Sequence, residues 1–296
     1  MLTESRFQFF CRAVTDLGVK HVILRQDGRE IFSNHWEEEV PVLQYSVAKS
    51  VCGTAVGFAL EEGLFSLDDP VIDYFEEDLP GYLTPELKSL KIRHLLTMQM
   101  GHQAQYLMGY QRKTMKETDW VKFVLSRPMK EMPGTGFRYS NAGPYLAGVL
   151  MERLTGQKLA DYLMPRLFEP LGIERPQWDE DPMGQTFAAG GLWLKTSDLA
   201  KFGQTYLDQG MWQGNRVIPR SWIRTVDRTT ILTTEEQQNY SMLFWRSRHD
   251  SISAVGRHGQ YCTIVPEKNL VIAMNGFNEQ DDNLLEYVWT YLYPSL

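Results

Sequence analysis

The strand-like segments of this sequence lie near its two ends, and that arrangement limits the fold more than any other feature. Residues 20–25 and 30–33 are β-rich and flank Asp27-Gly28, a dipeptide typical of a two-residue hairpin turn. Further strand candidates near the other end are residues 241–246, 251–255, 261–265 and 270–275. Their short links favour antiparallel pairing. Because an isolated hairpin is only marginally stable in water, we expect both ends to share one sheet.

The rest of the sequence is typical of helices and loops. Apolar residues at helical spacing predict a first helix that ends at Gly18, and a largely apolar helix over residues 47–62 is stopped by Gly63. Further helices are predicted over residues 85–98, 119–125, 144–154, 159–168, 196–208, 219–226 and 282–291.

These elements predict an α/β (α+β) fold, in which helices flank an antiparallel five-stranded sheet and an all-helical lobe is inserted into it. Residues 1–70 together with 185–296 would form the sheet lobe, and residues 71–184 would form the helical lobe. A cleft between two such lobes is a usual place for a substrate site.

Composition excludes several classes of function. The 296 residues carry a formal net charge of −7, which argues against a nucleic-acid or anionic-membrane partner. No stretch approaches the roughly 18 apolar residues of a membrane-spanning helix. The start of the chain has no basic segment followed by an apolar one, and its three cysteines suit a reducing compartment. We therefore expect a cytoplasmic protein, or a secreted one if a leader has been removed.

The six histidines and three cysteines show none of the short spacings typical of metal sites. No metal and no organic cofactor is therefore expected. The sequence leaves the oligomeric state open.

The first candidate for chemistry is the segment from Gln44 to Lys49, which contains Ser46-x-x-Lys49 at the start of a predicted helix. Residues three apart lie on one helix face, so the lysine amine can reach the serine hydroxyl. A serine needs a base to become a nucleophile, and a lysine can serve as that base only when its surroundings lower its pKa. The backbone N–H of Ser46 at the helix start could also face a developing oxyanion. Taken alone, the pattern is more often a helix cap with a solvated lysine.

A second candidate is Tyr139-Ser140-Asn141, which follows a turn-rich stretch and precedes a predicted helix. A phenolic hydroxyl can relay a proton to a leaving group, and an asparagine can orient a substrate amide or the lysine. Taken alone, this segment is more often a turn with a packed tyrosine.

Together, Ser46-x-x-Lys49 and Tyr139-x-Asn141 resemble the motifs of the serine β-lactamase and penicillin-binding-protein superfamily. The nearest resemblance is to the branch that holds class C β-lactamases, related esterases and 6-aminohexanoate-dimer hydrolases. Other stretches resemble the family in the same order along the chain, namely residues 67–71, 92–98, 189–193 and 198–203. The resemblance implies a β-lactamase/transpeptidase-like fold and an acyl-enzyme on Ser46, with Lys49 and Tyr139 sharing the proton transfers.

The family usually has a third motif, Lys-Thr-Gly or His-x-Gly, on a strand that lines the cleft. Here Ser251-Ile252-Ser253 stands in its place, while residues 256–260 resemble the Gly-x-His-Gly-Gln-like turn of the aminohexanoate type. The resemblance thus implies the Arg257 backbone N–H as a second oxyanion donor, with His258 and Gly259 lining the site. For His258, a structural role in the hairpin turn is the alternative.

We therefore expect a serine hydrolase that acts on a small-molecule ester, amide or lactam. One alternative within the family is a true β-lactamase or D-Ala carboxypeptidase, although the missing cationic residue argues against it because that charge anchors substrate carboxylates. A second alternative, from a different class, is a non-catalytic binding or sensor protein that keeps the fold.

Overall fold

The computed structural model describes residues 2–234, 238–279 and 284–296. Its α-helices, in chain order, are α1 (Glu4–Thr15), α2 (Val47–Glu61), α3 (Pro85–Lys88), α4 (Ile92–Leu96), α5 (Gly109–Arg112), α6 (Trp120–Leu125), α7 (Ala142–Thr155), α8 (Leu159–Leu163), α9 (Thr196–Leu207), α10 (Arg220–Arg228) and α11 (Leu284–Tyr287). Single π-helical segments, Met164–Phe168 and Val288–Leu292, directly continue α8 and α11.

The strands, in chain order, are β1 (Val19–Gln26), β2 (Arg29–His35), β3 (Val42–Leu43), β4 (Trp193–Leu194), β5 (Met211–Trp212), β6 (Asn215–Arg216), β7 (Ile231–Leu232), β8 (Asn239–Ser241), β9 (Phe244–Arg246), β10 (Ile252–Val255), β11 (Tyr261–Val265) and β12 (Leu270–Gly276). The main sheet has the order β2-β1-β12-β11-β10-β9-β8-β7. All of its neighbouring pairs are antiparallel. As expected, β1 pairs with β12, so the two ends of the chain share one sheet.

The predicted hairpin turn is confirmed. Asp27 and Gly28 both have positive φ angles, 51° and 76°, as a two-residue turn that matches the strand twist requires. β1 and β2 pair on either side of this turn.

The strand count of five was wrong, because the main sheet has eight strands in the described part of the chain. The predicted strand over residues 241–246 is divided into β8 and β9 by a turn in which Leu243 has a φ of 66°. The Leu243 N–H donates to the Leu96 carbonyl at 2.9 Å instead of to the sheet. β7, β8 and β9 have only two or three residues each, too few to show an alternating pattern.

The single helix predicted over residues 85–98 was also wrong, because the structure has α3 and α4 with a break between them. At the break, the Leu90 carbonyl accepts from the Val71 N–H at 2.8 Å, and the Ile92 N–H donates to the Asp69 carbonyl at 3.1 Å. These long-range bonds replace helical ones. The start of the last predicted helix, at Asp282, lies outside the described residues.

The sheet is buried on both faces. Ile23 and Ala273 pack into the larger core together with α2 and α9, while Val22 and Ile272 pack into a second core with α1 and α11. Successive residues of a strand point to opposite faces, so this alternation produces three layers. The larger core continues into the helices between β3 and β4. The division into lobes at residues 70/71 and 184/185 remains a prediction.

Helix α2 is the central helix of the larger core, since 13 of its 15 residues are buried. Its N-terminal end carries Ser46 and Lys49. Among the helices of the described ranges, none has both the length and the apolarity that crossing a membrane requires.

Candidate active site

The Ser46 hydroxyl and the Lys49 amine are in direct contact. Ser46 immediately precedes α2 and Lys49 lies one turn into it, so the side chains share a helix face. The Lys49 Nζ donates to the Ser46 Oγ at 2.7 Å. Ser46 remains partly exposed, whereas only 1% of Lys49 is accessible to solvent. The arrangement therefore places a buried amine behind an accessible hydroxyl.

The surroundings of Lys49 favour its neutral form. Burial lowers the pKa of the amine well below its usual value, and the positive charge of Arg112 lowers it further. The nearby Cys52 opposes this only weakly, because burial raises the pKa of its own thiol to about 12 and keeps it neutral. The amine also donates to the Ala189 carbonyl at 2.7 Å, which fixes its position. A neutral amine that donates one proton to a carbonyl can accept another from Ser46.

Tyr139 reaches the same two residues from the loop before α7. The Lys49 Nζ lies 5.1 Å from the centroid of its ring, and the ring stacks on Trp245 at 5.5 Å with an interplanar angle of 20°. Burial raises the pKa of the Tyr139 phenol to about 12, while a hydrogen bond with Ser46 opposes the rise. The phenol is therefore protonated at neutral pH. An amine with a lowered pKa is suited to act as a base, and a protonated phenol is suited to act as an acid.

Tyr45, just before Ser46, has a left-handed backbone conformation with a φ of 47°, which is rare for a bulky residue. Such strain is often found at functional sites. Among the described backbone hydrogen bonds outside regular elements, none is donated by the Ser46 N–H. That group is thus available to a ligand beside the hydroxyl.

The turn over residues 256–260 packs against the segment that precedes Ser46. A side chain at Gly256 would lie 2.6 Å from the Gln44 carbonyl, so only glycine fits this approach. The His258 ring contacts the Tyr45 ring at 4.9 Å between centroids. Burial raises the pKa of Tyr45 and the charge of Arg257 opposes the rise, which places Arg257 within electrostatic range of the ring.

The three predicted residues of this turn lie in three different environments. Arg257 is exposed and His258 is partly buried, with its Nδ1 3.1 Å from the Asn278 carbonyl. Gly259 is buried and has a φ of 98°, and a side chain there would collide with Leu284. Gly259 therefore faces the C-terminal helix. The roles of all three in substrate or oxyanion binding remain predictions.

Asn141 lies on the same loop as Tyr139 and is buried. Its side-chain Nδ2 donates to the Leu107 carbonyl at 2.8 Å. Leu107 has a φ of 58°, so this bond helps to hold a strained loop. The predicted contact of Asn141 with a substrate amide or the lysine stays a prediction.

The residues at the position of the third motif are buried in the sheet. Ser251 and Ser253 are both buried, and the Ser253 hydroxyl donates to the Thr263 hydroxyl at 3.0 Å across the strand pair. Neither supplies a positive charge.

Sequence reasoning missed three contributors to the site: the Ala189 carbonyl, Trp245 and Arg112. The resemblance of residues 189–193 to the family was a signal that could have pointed to the Ala189 carbonyl. Nothing in the sequence connects Trp245 to Tyr139 or Arg112 to Lys49, because each pair meets only in the folded chain. Within residues 2–234, 238–279 and 284–296, no group of three or more His, Cys, Asp or Glu side chains is arranged to hold a metal ion.

A family model described as Beta-lactamase matches residues 21–289. The chain belongs to the Beta-lactamase family. The resemblance seen in the sequence is confirmed, and so is the predicted class of fold. The solved structure of a D-stereospecific amidohydrolase from Streptomyces sp., a protein of the same fold, superposes with a TM-score of 0.74 at 17% identity, and the match covers 100% of both chains.

Two curated relatives of this Beta-lactamase family member are named as a hydrolase and an esterase. A 6-aminohexanoate-dimer hydrolase of Paenarthrobacter ureafaciens is 28% identical over 258 residues, which are 78% of this chain and 64% of that hydrolase. A lovastatin esterase of Penicillium rubens is 28% identical over 155 residues, which are 45% of this chain and 38% of that esterase. The chain thus spans less than two thirds of the length of both relatives.

Proposed function

We propose that the chain is a serine hydrolase that cleaves an ester or amide bond of a small molecule through an acyl-enzyme on Ser46. The observation that carries this proposal is the 2.7 Å contact between the Ser46 hydroxyl and the buried Lys49 amine. The names of two curated relatives, a 6-aminohexanoate-dimer hydrolase and a lovastatin esterase, support the same class of reaction.

In the first step, the Ser46 Oγ attacks the substrate carbonyl carbon while its proton passes to the Lys49 Nζ. The negative charge moves to the carbonyl oxygen. When the tetrahedral intermediate collapses, the bond to the leaving group breaks and Tyr139 donates its proton to the leaving oxygen or nitrogen. Lys49 returns the first proton to the Tyr139 oxygen, so the proton count balances. Water then repeats the sequence on the acyl-enzyme and releases the acid.

The oxyanion is stabilised by two backbone N–H groups, those of Ser46 and Arg257. The first lies at the strained start of α2, and the second lies on the turn that packs on Tyr45. Fixed donors of this kind are worth about 10²–10³ in rate each, because they need no reorganisation as charge develops.

Covalent labelling by a fluorophosphonate probe tests the proposal. Intact-mass measurement should show one adduct on the wild-type protein and none on Ser46→Ala. Ser126→Ala is the matched control, since Ser126 is exposed and its hydroxyl only donates to the Phe123 carbonyl at 2.9 Å and accepts from Arg127 at 3.1 Å. Labelling of Ser46→Ala would remove Ser46 from the mechanism, and absence of labelling in the wild type would refute the proposal.

For β-lactam substrates we expect poor turnover. The place of the cationic third-motif residue is taken by Ser251-Ile252-Ser253, whose serines are buried. Nitrocefin hydrolysis as fast as that of 4-nitrophenyl esters would instead favour a true β-lactamase.

A further inference from the structure

Arg112 lies beside the proposed site but takes no part in the steps described above. It is the last residue of α5, and its Nε donates to the Leu107 carbonyl at 3.1 Å. The same carbonyl oxygen accepts from the Asn141 Nδ2 at 2.8 Å. The side chains of Arg112 and Asn141 are therefore neighbours. Asn141 is two residues from Tyr139, so the guanidinium lies beside the loop that carries Tyr139.

A second contact connects Arg112 to the turn whose Ala189 carbonyl accepts from Lys49. The guanidinium carbon of Arg112 lies 3.9 Å from the centroid of the Phe187 ring. Gly190 also lies against this ring, since a side chain there would be 3.0 Å from the ring and 3.8 Å from the Tyr45 carbonyl. Since Gly190 follows the carbonyl that accepts from Lys49, the Phe187 ring lies against both Arg112 and the segment that holds the Lys49 amine. The effect of the Arg112 charge on the Lys49 pKa agrees with this placement.

The charge of Arg112 has no carboxylate partner among the residues that the structure describes. Some other partly buried arginines do have one: the Arg166 Nε, for example, lies 2.7 Å from the Glu62 carboxylate. Burial lowers the pKa of Arg112, and the charge of Asp179 opposes this only in part. The Nε is the only Arg112 donor used in the described hydrogen bonds, so the Nη donors are available.

An arginine with this combination of features raises the free energy of the folded protein and is well suited to bind an anion. Partly desolvating a cation without pairing it costs free energy, and a carboxylate that arrives with the substrate recovers that cost. The planar guanidinium can donate two parallel hydrogen bonds to a carboxylate, which fixes direction as well as charge. Stacking on Phe187 holds the plane in place.

We propose that Arg112 binds a carboxylate of the substrate, so that the preferred substrates are esters or amides with a carboxylate group on the acyl or the leaving side. This inference rests on the proposed hydrolase function. Arg112 then sets specificity, while Ser46, Lys49 and Tyr139 carry out the reaction.

Matched pairs of esters test the inference. On the acyl side the pair is 4-nitrophenyl hydrogen adipate and 4-nitrophenyl hexanoate, and on the leaving side it is 4-carboxyphenyl butyrate and phenyl butyrate. For each pair we take the ratio of kcat/KM for the charged ester to that for the neutral one, after subtracting spontaneous hydrolysis. In at least one pair, Arg112→Met should lower this ratio roughly 10- to 100-fold, the effect expected for a two-point bond between charged groups.

Arg127→Met is the matched control. Arg127 has the same kind of surroundings, since its Nε donates to the Phe123 carbonyl at 3.1 Å and its guanidinium lies 4.4 Å from the Phe123 ring centroid. Its ratio should equal that of the wild type. Arg112→Lys keeps the charge without the planar fork and should give an intermediate ratio. This variant also provides a test if the methionine variant does not fold.

The possible outcomes separate the two proposals. If the wild type cleaves the neutral esters and the ratio in both pairs is the same in the wild type and both Arg112 variants, the role of Arg112 is refuted and the hydrolase proposal stands. If the wild type cleaves neither member of either pair and forms no fluorophosphonate adduct, the hydrolase proposal fails and the Arg112 role fails with it.

Discussion

The hydroxyl of Tyr139 can be removed while its ring stays in place, which makes Tyr139→Phe the most informative perturbation of this site. The ring stacks on Trp245 and faces the Lys49 amine, with 5.1 Å between the Nζ and the ring centroid. A phenylalanine keeps both contacts. Only the hydrogen bond with Ser46 and the transferable proton are lost.

The structure predicts a large effect on rate and a small one on stability. A positioned acid contributes about 10²- to 10⁴-fold to the rate, or about 3–5 kcal/mol of barrier. The single hydrogen bond, to the partly exposed Ser46, contributes about 0.5–1.5 kcal/mol to folding. For a chain of 296 residues this corresponds to a fall in Tm of about 1–2 °C.

The choice of ester makes the assay specific for proton donation. 4-Nitrophenolate leaves without needing a proton, whereas an alkoxide does need one. Tyr139→Phe should therefore reduce kcat/KM much more for an ethyl ester than for a 4-nitrophenyl ester of the same acid. The control is Tyr240→Phe, which removes a hydroxyl from the same aromatic cluster, 6.2 Å away between ring centroids. Equal losses for the two esters would refute the role of Tyr139 as the acid.

Three further predictions follow from individual contacts. Because burial and Arg112 lower the pKa of Lys49, kcat/KM for a neutral ester should rise with pH to a plateau reached below pH 10.5. Arg112→Met should move this rise to higher pH, because it removes the positive charge that lowers the pKa. A pH profile that does not move would contradict the coupling between Arg112 and Lys49. In the wild type the Trp222 indole N–H donates to the Tyr206 hydroxyl at 2.9 Å. Tyr206→Phe removes this acceptor and should lower the Tm by about 2–5 °C in calorimetry. Gly57→Ala places a methyl group 2.3 Å from the Trp222 ring and should reduce the free energy of unfolding by about 1–3 kcal/mol, seen as a lower urea midpoint; an unchanged midpoint would show that Trp222 moves aside freely.

Local patterns in the sequence predicted those features that depend on neighbouring residues. The Asp27-Gly28 turn follows from the dihedral angles that these two residues tolerate. The contact of Ser46 with Lys49 follows from helical spacing, which fixes residues three apart on one face. Both depend on a few residues, so no knowledge of the rest of the chain was needed.

Elements that depend on distant partners were the ones predicted wrongly. The break between α3 and α4 exists because Leu90 and Ile92 bond to the segment around residue 70. The three shortest strands of the sheet, β7, β8 and β9, exist because neighbouring strands supply their hydrogen bonds, beginning with β10. Neither effect leaves a periodic signal in the sequence.

The sequence by itself thus determined the class of fold, the family and the local spacing of serine and lysine. Only the tertiary structure decided what surrounds that pair: a buried amine held by the Ala189 carbonyl, a phenol stacked on Trp245 and a charge at Arg112. The reason is physical. Helical spacing is a short-range property of the backbone, whereas a pKa depends on burial and on charges brought close by packing.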